Sequence, residues 1–96
     1  MARVEKLSEA NITGHLPEVP GWELTDGKLQ RTFTFGNFVQ AFGFMTSVAL
    51  LAESMDHHPD WSNVYHRVTI GLNTHDVGGI SQLDFELAKK INDLVS

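Results

Sequence analysis

The sequence predicts an α+β fold, an antiparallel sheet with its helices on one face, in the element order α-β-β-α-β-β-α. Three observations carry that expectation. Asp26-Gly27 lies between two strand-like segments and marks a hairpin, because both residue types accept the positive φ angles of a two-residue turn. Beyond Asn37, apolar residues recur at helical spacing without a single charge until Glu53. Ser81 followed three positions later by Asp84 is a capping box that opens a last amphipathic segment. Ninety-six residues suffice for one core and not for two, so residues 1–96 are expected to form a single domain.

Taken in order, Ser8 caps a first helix over residues 9–16, where Asn11 is also able to satisfy free amides, and Pro17, Pro20 and Gly21 break it. Trp22-Glu23-Leu24-Thr25 and Lys28–Phe35 form the hairpin, with Leu29, Arg31, Phe33 and Phe35 alternating with polar neighbours. Asn37 caps a second helix over residues 38–56, ended by Pro59. On it Phe38, Phe42, Met45, Ala49 and Ala52 make one stripe and Ala41, Phe44, Val48, Leu51 and Met55 the next. Such a broad apolar surface fits either a helix that meets another subunit or one wrapped by its own sheet. Residues 62–73 read as strand, with Val64, Val68, Ile70 and Leu72 on one face and Tyr65, Arg67 and Thr69 on the other; a tight turn near His66-Arg67 would split it in two. After a loop from His75 to Ile80 with Gly78-Gly79, the last helix covers residues 82–95 and buries Leu87, Ala88, Ile91, Leu94 and Val95.

Composition removes several function classes. Seven Lys+Arg against twelve Asp+Glu leave a net charge of −5, so no basic surface is available for nucleic acid. There is no cysteine to serve as nucleophile, ligand or disulfide. Arg3, Glu5 and Lys6 are followed by no apolar run, so no signal peptide is expected and the cytoplasm is the expected compartment. The charge-free stretch from Thr32 to Ala52 is broken by Asn37, Gln40, Gly43, Thr46 and Ser47, and is read as strand end and helix rather than as a membrane span.

Histidine is the unusual residue. In Glu53-Ser54-Met55-Asp56-His57-His58-Pro59-Asp60-Trp61, two adjacent imidazoles at a helix end lie within reach of Glu53 and Asp56. Helix terminus and carboxylates favour a cationic ring, while each imidazole disfavours protonation of the other, so the pair suits acid–base work near neutrality. By pattern alone, a histidine pair at a helix end more often caps carbonyls than catalyses. His15 and His66 read as lone solvent-facing rings, Asp84 as a capping residue and Glu53 as a solvated one. His57, His58, His75, Asp56 and Asp76 are metal-capable, but no zinc-type spacing joins them and adjacent helical histidines diverge, so no metal is expected. Neither a phosphate loop nor a G-x-S-x-G elbow occurs.

Glu53, His57-His58-Pro59, Tyr65, His75 and Asp84, separated by three, five, nine and eight residues, resemble the signature of the pterin-4a-carbinolamine dehydratases. The resemblance covers nearly the whole chain, including the Trp22 hairpin and the Asp-His-His-Pro-x-Trp segment, with seven fixed positions over 32 residues. It implies a four-stranded antiparallel sheet with three helices, assembled as a homodimer or homotetramer in which the second helix helps build the tetramer. The implied reaction converts a 4a-hydroxytetrahydropterin to a quinonoid dihydropterin and water, without metal or organic cofactor, regenerating the pterin after aromatic amino-acid hydroxylation. Carried over by position, His57 and His75 transfer protons and His58 binds and orients the substrate. Glu53 and Asp56 tune the pair, Pro59 belongs to the same binding segment, Trp61 stacks on the pterin, and Asp84 orients a histidine or touches substrate. Leu83 stands where many members have arginine, which bears on affinity or substrate preference.

The family is also known in vertebrates as a dimerisation cofactor of a homeodomain transcription factor. The alternative expectation is therefore a non-catalytic oligomeric module with a protein partner, or an assembly factor of the Rubisco-associated kind. The complete set His57, His58 and His75 favours the enzyme, because a scaffold needs none of them.

Overall fold

The computed structural model describes residues 4–96, which leaves Arg3 of the N-terminal reading outside the described residues. Helix α1 (Glu9–His15) begins at Ser8, whose hydroxyl accepts from the Asn11 amide at 3.2 Å. It is a residue shorter than expected and runs straight into a 3-10 turn, Leu16–Glu18, whose start tolerates Pro17. Strands β1 (Glu23–Thr25) and β2 (Lys28–Thr34) turn through Asp26 (φ 51°) and Gly27 (φ 77°), the paired positive angles of the favoured hairpin turn.

Helix α2 (Phe38–Met55) is capped by Asn37, whose side chain accepts from the Gln40 amide at 2.8 Å. Its end departs from expectation. The chain leaves the helix at Asp56, in the left-handed region at φ 49°, with the amides of Asp56 and His57 returning to Glu53 and Ala52. A left-handed cap therefore stops the helix, and Pro59 lies beyond it.

The segment read as 62–73 is two strands, β3 (Asp60–Val64) and β4 (Arg67–Leu72), folded about Tyr65 (φ 52°) and His66, one residue before the suggested turn. The Asn63 amide braces this turn by donating to the carbonyls of Tyr65 and Arg67. A two-residue turn also changes which face Val64 joins. It pairs with Arg67 and is 60% exposed, opposite the core face that it was expected to share with Val68.

All strands are antiparallel in the order β1-β2-β4-β3, and pairs such as Leu29 with Leu72 and Phe33 with Val68 put the apolar residues on one face. That face packs against α2 through Ala41, Phe44, Val48 and Ala52, and against α3 (Gln82–Val95) through Phe85, Leu87, Ala88 and Ile91. Leu94 and Val95, expected in the core, lie near the surface at the helix end. Asn92 on α3 fastens the first hairpin, accepting from Trp22 Nε1 at 2.8 Å and from Arg31 at 2.6 Å.

The opposite flank of α2 is bare: Phe38, Phe42 and Ala49 of the expected apolar surface are exposed, and Val39 and Leu50 beside them, among the described residues. With 18 residues and a mean hydropathy of 1.3, α2 is long and apolar enough to cross a membrane by length and composition. Its other side packs into the core against α3 and β4, and a core helix meets the same two criteria.

Candidate active site

The site forms where the β3–β4 hairpin opens. Because Asp60 pairs with Gly71, the chain entering β3 and the chain leaving β4 run side by side, bringing His57 and His58 next to Asn73, Thr74 and His75. Beyond the left-handed step at Asp56 the two neighbouring imidazoles part, one to Asp84 and the other to Glu53. The His57 side chain is 9% exposed and that of His58 58% exposed.

His57 turns inward to Asp84, with Nε2 at 2.6 Å from Oδ1. The other carboxylate oxygen of Asp84 accepts from the Thr74 hydroxyl and the Ser81 amide, both at 2.9 Å. Since the Thr74 proton goes to Asp84, the 2.5 Å contact between the Thr74 and Ser81 hydroxyls has Ser81 donating, and the Ser81 oxygen in turn accepts from the Leu83 amide. The chain of bonds runs one way, from Ser81 to Thr74 to Asp84, which meets the His57 N–H from the far side. With Nε2–H spent on Asp84, Nδ1 is the nitrogen that His57 has left for a bound molecule. His57, Thr74, Ser81 and Asp84 are all buried, so this network is shielded from competing water.

His58 turns outward, its Nε2 at 2.9 Å from Glu53 Oε1; the pair is exposed, so it orients the ring more than it stabilises the fold. His57, His58 and His75 line one groove of about 320 Å³ together with Asp56, Asn73 and Thr74. Asp76, Leu83 and Val4 complete its wall. Asp84 lies beneath this surface behind His57, fully buried, and Glu53 reaches it only through His58. Pro59 and Trp61 are not among the lining residues; Trp61 packs against the core.

Two histidines lie elsewhere. His15 pairs with Glu18 at 2.7 Å and its ring lies 5.5 Å from that of Phe85. Glu18 also meets Lys89 at 2.6 Å; hydrogen bonds from Lys89 and then His15 hold its carboxyl below the ordinary carboxylate range. His66, expected to face solvent, is half-buried at the β3–β4 turn, and its Nδ1 is enclosed without a hydrogen-bond partner. The participants that sequence reasoning missed are Thr74, Asn73 and Val4. Thr74 had a faint signal: a threonine placed just before His75, where Asp84 needs a further donor.

The comparisons agree with one another. The model of the family described as pterin 4 alpha carbinolamine dehydratase matches residues 5–94. A relative from Mesorhizobium japonicum is 60% identical over 90 residues, covering 92% of each chain; one from Solibacter usitatus is 53% identical over 91 residues, covering 95% of this chain and 96% of its own. Both are named, provisionally, as pterin-4-alpha-carbinolamine dehydratases. A crystal structure from Brucella melitensis, described as a transcriptional coactivator/pterin dehydratase, superposes with a TM-score of 0.91 at 40% identity, covering 96% of this chain and all of that one. A match over nearly the full length, by sequence and by fold, establishes that this chain belongs to the pterin-4-alpha-carbinolamine dehydratase family.

Proposed function

We propose that the chain removes water from a 4a-hydroxytetrahydropterin to give the quinonoid dihydropterin, with its own histidines as acid and base, in the recycling of tetrahydrobiopterin. The observation that carries this reading is the convergence of His57, His58 and His75 on one groove, with His57 braced from behind by a fully buried carboxylate. In the reaction the C4a–O bond breaks, the oxygen takes a proton and leaves as water. The lone pair of the adjacent ring nitrogen forms the new C=N bond, and one ring N–H proton goes to a base. The protein therefore delivers one proton and receives one, which two imidazoles can do near neutral pH.

His57 and His75 exchange these protons. His57 is the better-oriented of the two, because Asp84 fixes its ring plane and which nitrogen carries hydrogen. His58, steered by Glu53, binds and orients the flat heterocycle, and Asp56 adds negative charge beside the pair. Stacking on Trp61 is left out of this account, because that ring is engaged with the core.

The test is a dehydratase assay on freshly generated 4a-hydroxytetrahydropterin, with the spontaneous rate as blank. Wild type accelerates dehydration, and His57→Ala and His75→Ala each lose about 100-fold or more, the contribution of a positioned acid or base. If both variants keep near-full turnover and only His58→Ala fails, the division of roles is wrong.

The bare flank of α2 favours a second property. Phe38 and Phe42, with rings 5.8 Å apart, and Val39 and Leu50 form an apolar surface that a second copy of the chain would cover in a homodimer or homotetramer. Should folded wild type not accelerate dehydration, that surface makes a non-catalytic binding module the surviving reading.

A further inference from the structure

We propose that the N-terminal strap Val4–Leu7 is a working wall of the substrate groove, and that Val4, together with Leu83, recognises the substituent on carbon 6 of the pterin; this rests on the dehydratase reading above. The strap has a built seat. The Leu7 amide donates to the Ile80 carbonyl at 2.8 Å and the Leu7 side chain packs against the core. The aliphatic stem of Lys6 crosses the face of Gly79 so closely that a Cβ there would lie 2.7 Å from Lys6 Cε and 3.2 Å from both Cδ and Cγ. Gly79 is itself tied to the site, since its carbonyl accepts from the Thr74 amide at 2.7 Å, and the Thr74 hydroxyl holds Asp84. The strap is thus fastened to the loop that presents His75.

Val4 reaches the groove and, with Leu83, is its apolar lining; the other lining side chains are polar. A tetrahydropterin has a matching division. Its pyrimidine edge is all donors and acceptors, while carbons 6 and 7 are aliphatic. The reacting N5 is bonded directly to carbon 6, so where histidines reach C4a and N5, carbon 6 lies one bond and its substituent two bonds from a reacting atom. Val4 and Leu83 line the same groove as those histidines. Val4 is 39% exposed without ligand, which leaves surface for a substituent to cover.

The experiment measures KM and kcat for 4a-hydroxytetrahydropterins carrying a 6-methyl or a 6-dihydroxypropyl group. It is paired with fluorescence titration of the stable 7,8-dihydropterins bearing the same groups. Val4→Ser is expected to raise KM for the 6-methyl substrate, and weaken binding of its dihydropterin, about threefold to tenfold. This is below the range for a closed apolar pocket, because the wall is half open. The rise in KM exceeds any fall in kcat, the effect is smaller for the hydroxylated substituent, and Val4→Ile restores both values. Wild-type KM and binding in Val4→Ser for both substituents, or a loss confined to kcat, would overturn the proposal. Wild type that binds dihydropterin without turnover refutes the dehydratase reading and leaves the binding series to decide the strap; wild type that does neither refutes both.

Discussion

Replacing Asp84 by Asn isolates what the buried carboxylate does for His57. Asp84 serves three donors: Thr74 and the Ser81 amide on one oxygen at 2.9 Å each, and His57 on the other at 2.6 Å. Asn has the same shape but one oxygen. With that oxygen kept on the Thr74 and Ser81 side, two of the three bonds survive and the new NH₂ faces His57 Nε2. Two N–H groups cannot face each other, so the neutral ring must move its proton to Nδ1. The cost is the difference between a charge-assisted hydrogen bond of about 1.5–3 kcal/mol and a neutral one of about 1 kcal/mol, a net loss of about 0.5–2 kcal/mol. At about 4–8 °C per kcal/mol for a domain of this size, the melting temperature falls by about 2–16 °C at fixed protein concentration. Turnover falls further, about 100-fold or more, because the groove-facing nitrogen changes from acceptor to donor and a positioned base is worth about 10²–10⁴. Imidazole ¹⁵N shifts followed through a pH titration read the tautomer directly, whatever the reaction is. A neutral His57 that keeps hydrogen on Nε2 in Asp84→Asn, or a flipped tautomer with wild-type turnover, would refute this account of the carboxylate.

Three other outcomes follow from the structure. Hydrogen bonds from Lys89 and then His15 lower the Glu18 pKa from its ordinary 4.5, so the stability they give is complete above about pH 4.5 and is lost as pH falls through the lower folded value. The melting-temperature advantage of wild type over Glu18→Gln should therefore shrink on acidification below that point; a gap constant with pH contradicts it. Phe42→Glu, at a position 55% exposed within the chain, should leave the protomer folded and give a smaller species than wild type in sedimentation velocity; wild type that is already monomeric contradicts the assembly reading. Gly27→Ala meets no neighbouring atom, so its cost is the left-handed backbone alone, about 1–2 kcal/mol by denaturant unfolding, and no measurable loss would mean that the turn has relaxed to another type.

What the sequence made legible was whatever is local. Ser8, Asn37 and the Ser81–Asp84 box each cap the helix that they precede, because a cap needs only residues within one turn. Asp26-Gly27 fixed a hairpin for the same reason. Strand faces across the Tyr65-His66 turn were less legible, because a two-residue turn reverses the parity of the apolar pattern and Val64 changed side. The end of α2 was placed within a residue, but the left-handed cap at Asp56 that stops it was missed, since a non-glycine cap carries little signal beside a downstream proline. At the site, the histidines stood out by number and spacing. Thr74 did not, because its role comes from the end of β4 lying over the start of α3. The inward turn of His57 and the outward turn of His58 were equally hidden, as neighbours in sequence share every local cue. Leu94 and Val95 kept the helical period but ran past the edge of the core.

The same carboxylate caps α3 and braces His57, and so the first turn of the helix and the poise of the site rise and fall together. Each time α3 frays at its start, the Ser81 amide is freed from Asp84 and becomes open to exchange with solvent deuterium, and in that interval His57 has lost its brace. The protection factor of the Ser81 amide thereby reads how much of the time the turn that carries Asp84 is in place. A stabilising change far along α3 that slows this fraying would raise the assembled fraction without touching the groove.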